Sequence, residues 1–455
     1  MRFIAIAFVI LAFPLLCVWL KQGRQQKLWA YLLVGMLPFT LNAWQLDAAL
    51  INWAGWPGYA KGMVVTLLDS LALAIIVTHR APRGITPFVP WLLAYLAAAT
   101  LSIAVSDQPM ASAFYAFQFV RVIVLVVAVA RIATDREGLR WLAFGLSAGI
   151  AYQAAIAISQ KAGGAVQASG TMGHQNLLGM MTHFALLPLL ALLLAGERSK
   201  IVMLGVVSAL IVIALGASRG AIGFAGAGIA LLFVLSLARR ATAGKWRMLG
   251  FGVAALAMTA PVMFFSLQNR FEVNPTQSGE GSERIAFARA ANAIWSDHPF
   301  GVGANMYVIV ANTKGYSERA GVNWNGSSRS TNVHDMYLLV AAETGWPGLI
   351  AFVALLVVSI ASALRFAFSD RRDPAGDIVL GCAVALIVAA AHSHYEWVFI
   401  TYQAQYVAAI SLGVIGGLVR ERRNRAKPRR NARPRSPTPA MAEYSGDADR
   451  TNALG

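Results

Sequence analysis

Residues 114–132 read FYAFQFVRVIVLVVAVARI, nineteen positions with only two charges, Arg121 and Arg131. A helix rises about 1.5 Å per residue, so roughly 20 apolar residues cross the hydrocarbon core of a bilayer. The stretch is apolar on every side, which suits lipid and not a half-wetted surface. Working outward, the same character recurs at 3–20, 28–46, 62–78, 86–105, 139–158, 177–195, 201–217, 221–238, 248–266, 338–364, 376–395 and 400–419. These make thirteen spans with 114–132, or twelve, because the first two lie close together and 201–217 is short. Of 455 residues, 57% are hydrophobic and 13% charged, against roughly 25% charged in soluble domains. The 12 Trp, many near the ends of apolar runs, fit an interfacial belt. The expected fold class is an all-α polytopic membrane protein, with 12–13 transmembrane helices and one large loop containing short helices.

The net charge of +17 resembles a nucleic-acid signature, but its distribution does not. Basic residues gather in the loops Lys21 to Lys27, His79 to Arg83, Arg131 to Arg140, Arg198 to Lys200, Arg239 to Arg247 and Arg365 to Arg372, and in the tail from Arg420. Intervening loops have few cations, so the basic ones are expected on the cytoplasmic side and the long loop, 267–335, in the periplasm. No nucleic-acid partner is implied. Thirteen spans would put the N-terminus outside and twelve inside. No small-residue cleavage site precedes Lys21, so 2–20 is expected to be a membrane helix and not a signal peptide. Cys17 and Cys382 both lie in apolar runs and form no disulfide or metal pattern. The expected division is 1–266 transmembrane, 267–335 loop, 336–420 transmembrane, and a disordered basic tail, 421–455, able to touch anionic lipid.

Within the long loop, Ser282 is a plausible N-cap for a helix from Glu283 to Asp297, ended by Pro299. Its Ile285, Ala288, Ala291 and Trp295 recur on one face. Gly301, Gly303 and Asn305 suggest a turn, and Gly321 to Asn332 a flexible loop.

Ionisable groups within or beside apolar spans are costly and therefore functional suspects: Asp69, Arg121, His183, Arg219, Glu343, His394 and Glu396. Arg121 either pairs with Asp69 or another carboxylate, or contacts a phosphate. Arg219, between Ser218 and Gly220, is either a snorkelling side chain or an anion site. Arg284 and Arg289 lie on the loop helix, Arg284 in its first turn, where backbone N–H groups favour an anion. His334 stands where the loop meets a span, as an interfacial polar residue or a base. Glu343, nine residues on and about 13.5 Å along a helix, is too far to orient it, and Gly345-Trp346-Pro347-Gly348 predicts a kink. His174 and Asn176 form either a polar turn or a cavity wall. His392, His394 and Glu396 do not have the spacing of a metal site and suit sugar or phosphate contacts better. There is no Walker loop, dinucleotide fingerprint or zinc-protease motif.

Three landmarks occur in order: Gly170-Thr171 through Asn176, then Ser218-Arg219-Gly220, then a long loop ending in His334. The loop carries Arg284, Asp297-His298-Pro299 and Gly301-Val302-Gly303; Tyr337, Leu338, Glu343, Gly345 and Gly348 follow His334. Together, over roughly residues 160–400, they resemble the O-antigen ligases of the O-antigen ligase and polymerase superfamily. Asp335 and His174 depart from its pattern, where Asn is common. The resemblance implies a metal-independent, cofactor-free glycosyltransferase of the bacterial inner membrane, with its site facing the periplasm. It would move a glycan from undecaprenyl pyrophosphate to a sugar hydroxyl of the lipid A–core. The residues suit that chemistry: Arg219 and Arg284 would clamp the pyrophosphate, and His334 would take the acceptor's proton in an inverting displacement. Arg121, His174, Asn176, Arg289, Tyr337, His394 and Glu396 are further substrate-binding candidates. Rival readings are an O-antigen polymerase or protein O-oligosaccharyltransferase of the same superfamily, and a lipid-linked sugar transporter. Against the transporter stands the lack of an internal repeat.

Overall fold

The computed structural model describes residues 2–80, 84–250, 280–397 and 399–426, with isolated positions between 252 and 268. Most of the expected span 248–266 and the tail beyond Ala426 lie outside the described residues. The first half comprises α1 (Arg2–Lys21), α2 (Arg24–Trp44), β1 (Asp47–Asn52), β2 (Gly62–Thr66), α3 (Leu67–Thr78), α4 (Val89–Leu101), α5 (Pro109–Ile132), α6 (Arg136–Ala162), α7 (Gln175–Ala195), α8 (Lys200–Gly216) and α9 (Arg219–Arg239). The loop contributes α10 (Glu280–Asp297), α11 (Tyr307–Thr313), α12 (Tyr316–Ala320) and α13 (Gly326–Arg329); α14 (Met336–Ser369), α15 (Ala375–His392) and α16 (Tyr402–Ala426) follow. Seven described helices are long and apolar enough to cross a membrane: α5, α6, α7, α9, α14, α15 and α16. The fold is an all-α polytopic membrane protein.

Two boundaries differ from expectation. Residues 62–66 of the stretch 62–78 are a strand, paired antiparallel with β1 in the register Asp47↔Thr66 and Ala48↔Val65. Hydropathy cannot separate Val64 and Val65 in a strand from the helix beyond. The boundary is chemical: Thr66 and Asp69 form a reciprocal capping box that starts α3. In the loop, α10 begins at Glu280, so Ser282 lies inside the helix and not at its cap.

At the centre, α7 is 89% buried along its apolar window and packs against α8, α9, α15 and α16. By contrast, the same measure for α9 is 33%. Gly35 of α2 and Gly145 of α6 meet so closely that a Cβ on either would strike the other helix's backbone. Small residues are how helices approach in lipid, where no hydrophobic force drives them together.

The decisive irregularity is in α14. Gly345 adopts φ 66°, ψ −165°, which breaks the helix inside its apolar run. Only glycine occupies that region at ordinary cost. Loop residues stitch the gap: Trp346 N–H donates to Pro299 O (2.9 Å), Val302 N–H to Ala342 O (3.1 Å) and Gly303 N–H to Glu343 O (2.9 Å). Gly301, at φ +82°, lies flat against Glu343. The Glu343 carboxylate accepts from the Tyr59 hydroxyl and from Tyr307 N–H (3.0 Å). Asn305 then ties the loop to Ala60 O (2.7 Å) and Ala111 O (3.0 Å). At the opposite end, Arg239 pairs with Asp377 at 2.5 Å and Lys245 reaches the same carboxylate at 3.4 Å, all buried.

Because a Cβ at Gly345 would collide with the Pro299 and Phe300 backbone, and one at Gly301 with Glu343 O, Gly345→Ala and Gly301→Ala should each destabilise by at least ~2 kcal/mol. Gly326→Ala, with open space around it, should be neutral. Thermal unfolding of the three variants in detergent checks this; equal melting temperatures would refute the stitched-break account.

Candidate functional site

Three of the four helices around the site begin at a polar cap. His174 opens α7, its Nδ1 accepting from Asn176 N–H at 3.2 Å. Ser218 opens α9, its hydroxyl accepting from Ala221 N–H at 3.4 Å. Asp335 opens α14 by accepting from Tyr337 N–H (2.8 Å) and Leu338 N–H (3.0 Å). A hydrogen bond from Met336 N–H to Ser393 O (2.7 Å) holds the start of α14 against the turn after α15. The beginning of α10 completes the ring. Helix N-termini carry partial positive charge and spare N–H donors, so their meeting favours an anion.

Two adjoining cavities lie among these ends. The larger, about 500 Å³, has Arg219, Arg284 and Asn176 in its walls together with Ser218, His392 and Glu396. The smaller, about 210 Å³, takes in His334, His174, Glu283 and Phe287, and shares Asn176, Arg284 and Glu396 with the first. Such volumes suit a small polar group and its neighbours.

Glu396 is the hub. Its carboxylate, 9% exposed, accepts from Asn176 Nδ2 (2.8 Å), His334 Nδ1 (3.2 Å) and Arg284 Nη2 (3.4 Å). Burial alone would raise its pKa, but the His334 hydrogen bond and the charges of His334 and Arg284 hold it below the ordinary carboxylate value. An ionised carboxylate can only accept, so Nδ1 of His334 carries a proton and donates to Glu396. Burial pushes the His174 pKa down, against the pull of Glu396. Arg284 also donates to Tyr395 O at 3.3 Å.

The structure thus gathers Arg219, Arg284, His334, His174, Asn176 and Glu396. Tyr337 and His394 stand alongside: their rings are 4.5 Å apart, the Tyr337 hydroxyl donates to Ala390 O (2.8 Å), and His394 lies 3.5 Å from Asp335. Two candidates lie elsewhere. Arg121 is buried against Asp69 (2.8 Å) and the rings of Tyr402 and Tyr406, in neither cavity wall. Arg289 is exposed on α10 and lines neither cavity. Sequence reading missed Glu283, Phe287, Phe224 and Gly220 as lining residues. Gly220 had a signal in its small size: a Cβ there would press on His392 Nε2 at 3.0 Å. The partnership of Glu396 with His334 had none, since 62 residues separate them.

Fold and site together define a multi-pass helical membrane protein with joined, arginine-bearing cavities at one end of the bundle. A family model described as O-antigen ligase matches residues 183–353, which takes in Arg219, Arg284 and His334. Over that segment, a little over a third of its length, the chain is similar to the O-antigen ligase family of the O-antigen ligase/polymerase superfamily. Its members are glycosyltransferase-like enzymes that act on lipid-linked glycans. No curated protein matches the chain.

A depressed carboxylate contributes stability in full above its unfolded pKa, near 4.3, and loses it as pH falls through the folded value. Wild type should therefore melt above Glu396→Gln at about pH 6, with the gap closing below about pH 4. A gap that does not change with pH would show that Glu396 is not held as an ion.

Proposed function

We propose that this chain is an O-antigen ligase. It transfers O-antigen glycan from undecaprenyl pyrophosphate to a sugar hydroxyl of the lipid A–core, at the periplasmic face of a bacterial inner membrane. The observation that carries the reading is the meeting of Arg219, Arg284 and the His334–Glu396 pair around joined cavities ringed by helix N-termini.

A lipid pyrophosphate is already a good leaving group; its departure needs neutralisation of the charge that grows on the phosphate oxygens. Arg219 and Arg284 supply fixed donors for that charge, and Asn176 and the first N–H groups of α9 add to them. The acceptor hydroxyl is a poor nucleophile. His334 Nε2 takes its proton while the hydroxyl oxygen bonds to the anomeric carbon. The bond from that carbon to the phosphate oxygen breaks, and its electron pair stays with the pyrophosphate. One displacement inverts the centre. Glu396 holds the ring in the right tautomer and stabilises the imidazolium, which returns its proton to water. As a positioning residue, Glu396 never touches substrate in this scheme. Two lipid-borne substrates held in one site gain further from proximity.

The test is a reconstituted transfer in EDTA, with purified protein, undecaprenyl-pyrophosphate glycan and rough lipopolysaccharide. Wild type should give a laddered lipopolysaccharide and His334→Ala none. If wild type only lengthens the lipid-linked glycan, the chain is a polymerase; glycan crossing the bilayer unreacted would make it a transporter. In the same assay Arg219→Ala and Arg284→Ala should each lower turnover by about 10²–10³-fold, corresponding to 3–4 kcal/mol, with lysine recovering only part. Turnover within a few-fold of wild type would remove the clamp role.

A further inference from the structure

Trp324 is the most exposed large apolar side chain among the described residues, at 77%. It sits in Gly321 to Asn332, a stretch that composition marks as flexible, yet it is held in place. The Arg329 guanidinium lies 3.9 Å from the centre of its ring. That arginine is itself anchored, donating to Val322 O (2.8 Å), Asn323 O (3.2 Å) and Asn312 Oδ1 (3.4 Å). Asn325 fixes the other flank by capping α13, accepting from Ser328 N–H at 2.8 Å. The cation covers one side of the indole, and the ring's high exposure leaves the other side to solvent.

The ring also has a definite address. Its neighbour Asn323 donates from Nδ2 to Glu283 Oε1 at 3.4 Å. Glu283 is a wall residue of the cavity that holds His334. The segment that carries the indole is thus tied to a wall residue of that cavity, and Trp324 precedes His334 by ten residues in the chain. A membrane anchor would have other apolar side chains around it. Here the nearby chain positions are Asn323, Asn325, Ser327, Ser328 and Arg329, and Val322 is buried. A fixed aromatic face on a segment rich in amides and hydroxyls matches a sugar ring, whose C–H face is apolar and whose edge is all hydroxyls. A cation stacked on one side of the indole limits the entropy lost when a ligand covers the other.

We propose that Trp324, backed by Arg329, is a saccharide-stacking platform that seats a sugar ring of the glycan at the mouth of the His334 cavity. The proposal rests on the glycosyltransferase reading for its substrates, while the platform itself is a binding site. The sugar ring comes from either the acceptor or the donor, and the two arms of the test separate these.

The full-length protein is placed in nanodiscs of phosphatidylethanolamine and phosphatidylglycerol. Trp324→Ala and Trp324→Phe are compared with wild type in two measurements. The first is direct binding of free, delipidated core oligosaccharide and of free O-antigen glycan, read by saturation-transfer NMR. The second is the transfer reaction, with each substrate varied in turn. Trp324→Ala should weaken binding of one oligosaccharide about tenfold and raise KM for the substrate that carries it by a similar factor. Turnover at saturation should hold, and Trp324→Phe should recover most of the loss. The affected substrate identifies the ring. Unchanged binding and KM for both substrates overturn the platform even where wild-type transfer is intact. Loss of turnover without a change in KM overturns it too, as does release of the protein's loop from lipid in place of any change in sugar binding. If wild type binds a free oligosaccharide through Trp324 but transfers nothing, the platform stands and the ligase reading falls.

Discussion

Everything at the functional end depends on how the chain solves one problem of backbone chemistry. A helix broken in an apolar setting exposes amide groups that no water reaches, and each would cost several kcal/mol unpartnered. The break at Gly345 is supportable because Pro299, Val302 and Gly303 supply a matching edge of backbone. That edge is short and nearly flat, which is why Gly301 and Gly303 occupy it. Once docked, it fixes α10 on one side and Tyr307 on the other, and it sets where the chain re-enters the bundle at His334. Glu343, which looks like a second functional acid, is spent on this junction: it accepts from Tyr59 and Tyr307. The repair of a helix and the placing of His334 are one structural event.

The site's charge balance follows from the same geometry. Four helix starts and two arginines would make a strongly positive pocket, and an unrelieved cluster of cations would push its own members apart. Glu396 offsets this by sharing one carboxylate among Asn176, His334 and Arg284. A single acid thus orients the His334 ring and steadies one arginine. Away from the site, buried charges are matched within closed sets, as in Arg121 with Asp69 and Arg239 with Asp377. Those sets hold helices together and leave no capacity for a ligand.

Hydropathy made the membrane class and most helix positions legible, because lipid imposes a simple demand on every spanning segment. The kink at Gly345 was legible too, since Gly-Trp-Pro-Gly leaves few alternatives. The β1–β2 hairpin was not: Gly62 to Thr66 is as apolar as the helix it joins, and only the Thr66–Asp69 cap separates them. At the site, local chemistry singled out His334, Arg219 and Arg284, whose types are out of place for their surroundings. It could not rank Arg121 below them. An arginine in an apolar run looks the same whether its partner is a carboxylate 52 residues back or a substrate. Likewise Glu396 stood out as a buried acid, but its partner could be known only once the start of α14 met the end of α15.

One further feature bears on how such a site is supplied. Along its apolar window α9 is one-third buried, and Gly223 and Gly226 have nothing within 4 Å of where a Cβ would stand. Yet Gly220 and Phe224 of the same helix wall the larger cavity. A thin, small-residue helix, long and apolar enough to cross a membrane, thus forms part of the chamber's wall. For a substrate with a lipid tail, the relevant concentration is then the number of molecules per unit area of bilayer. Adding inert lipid at a constant amount of such a substrate would dilute it although nothing in the aqueous phase had changed, so its encounters with the cavity belong to a two-dimensional solvent.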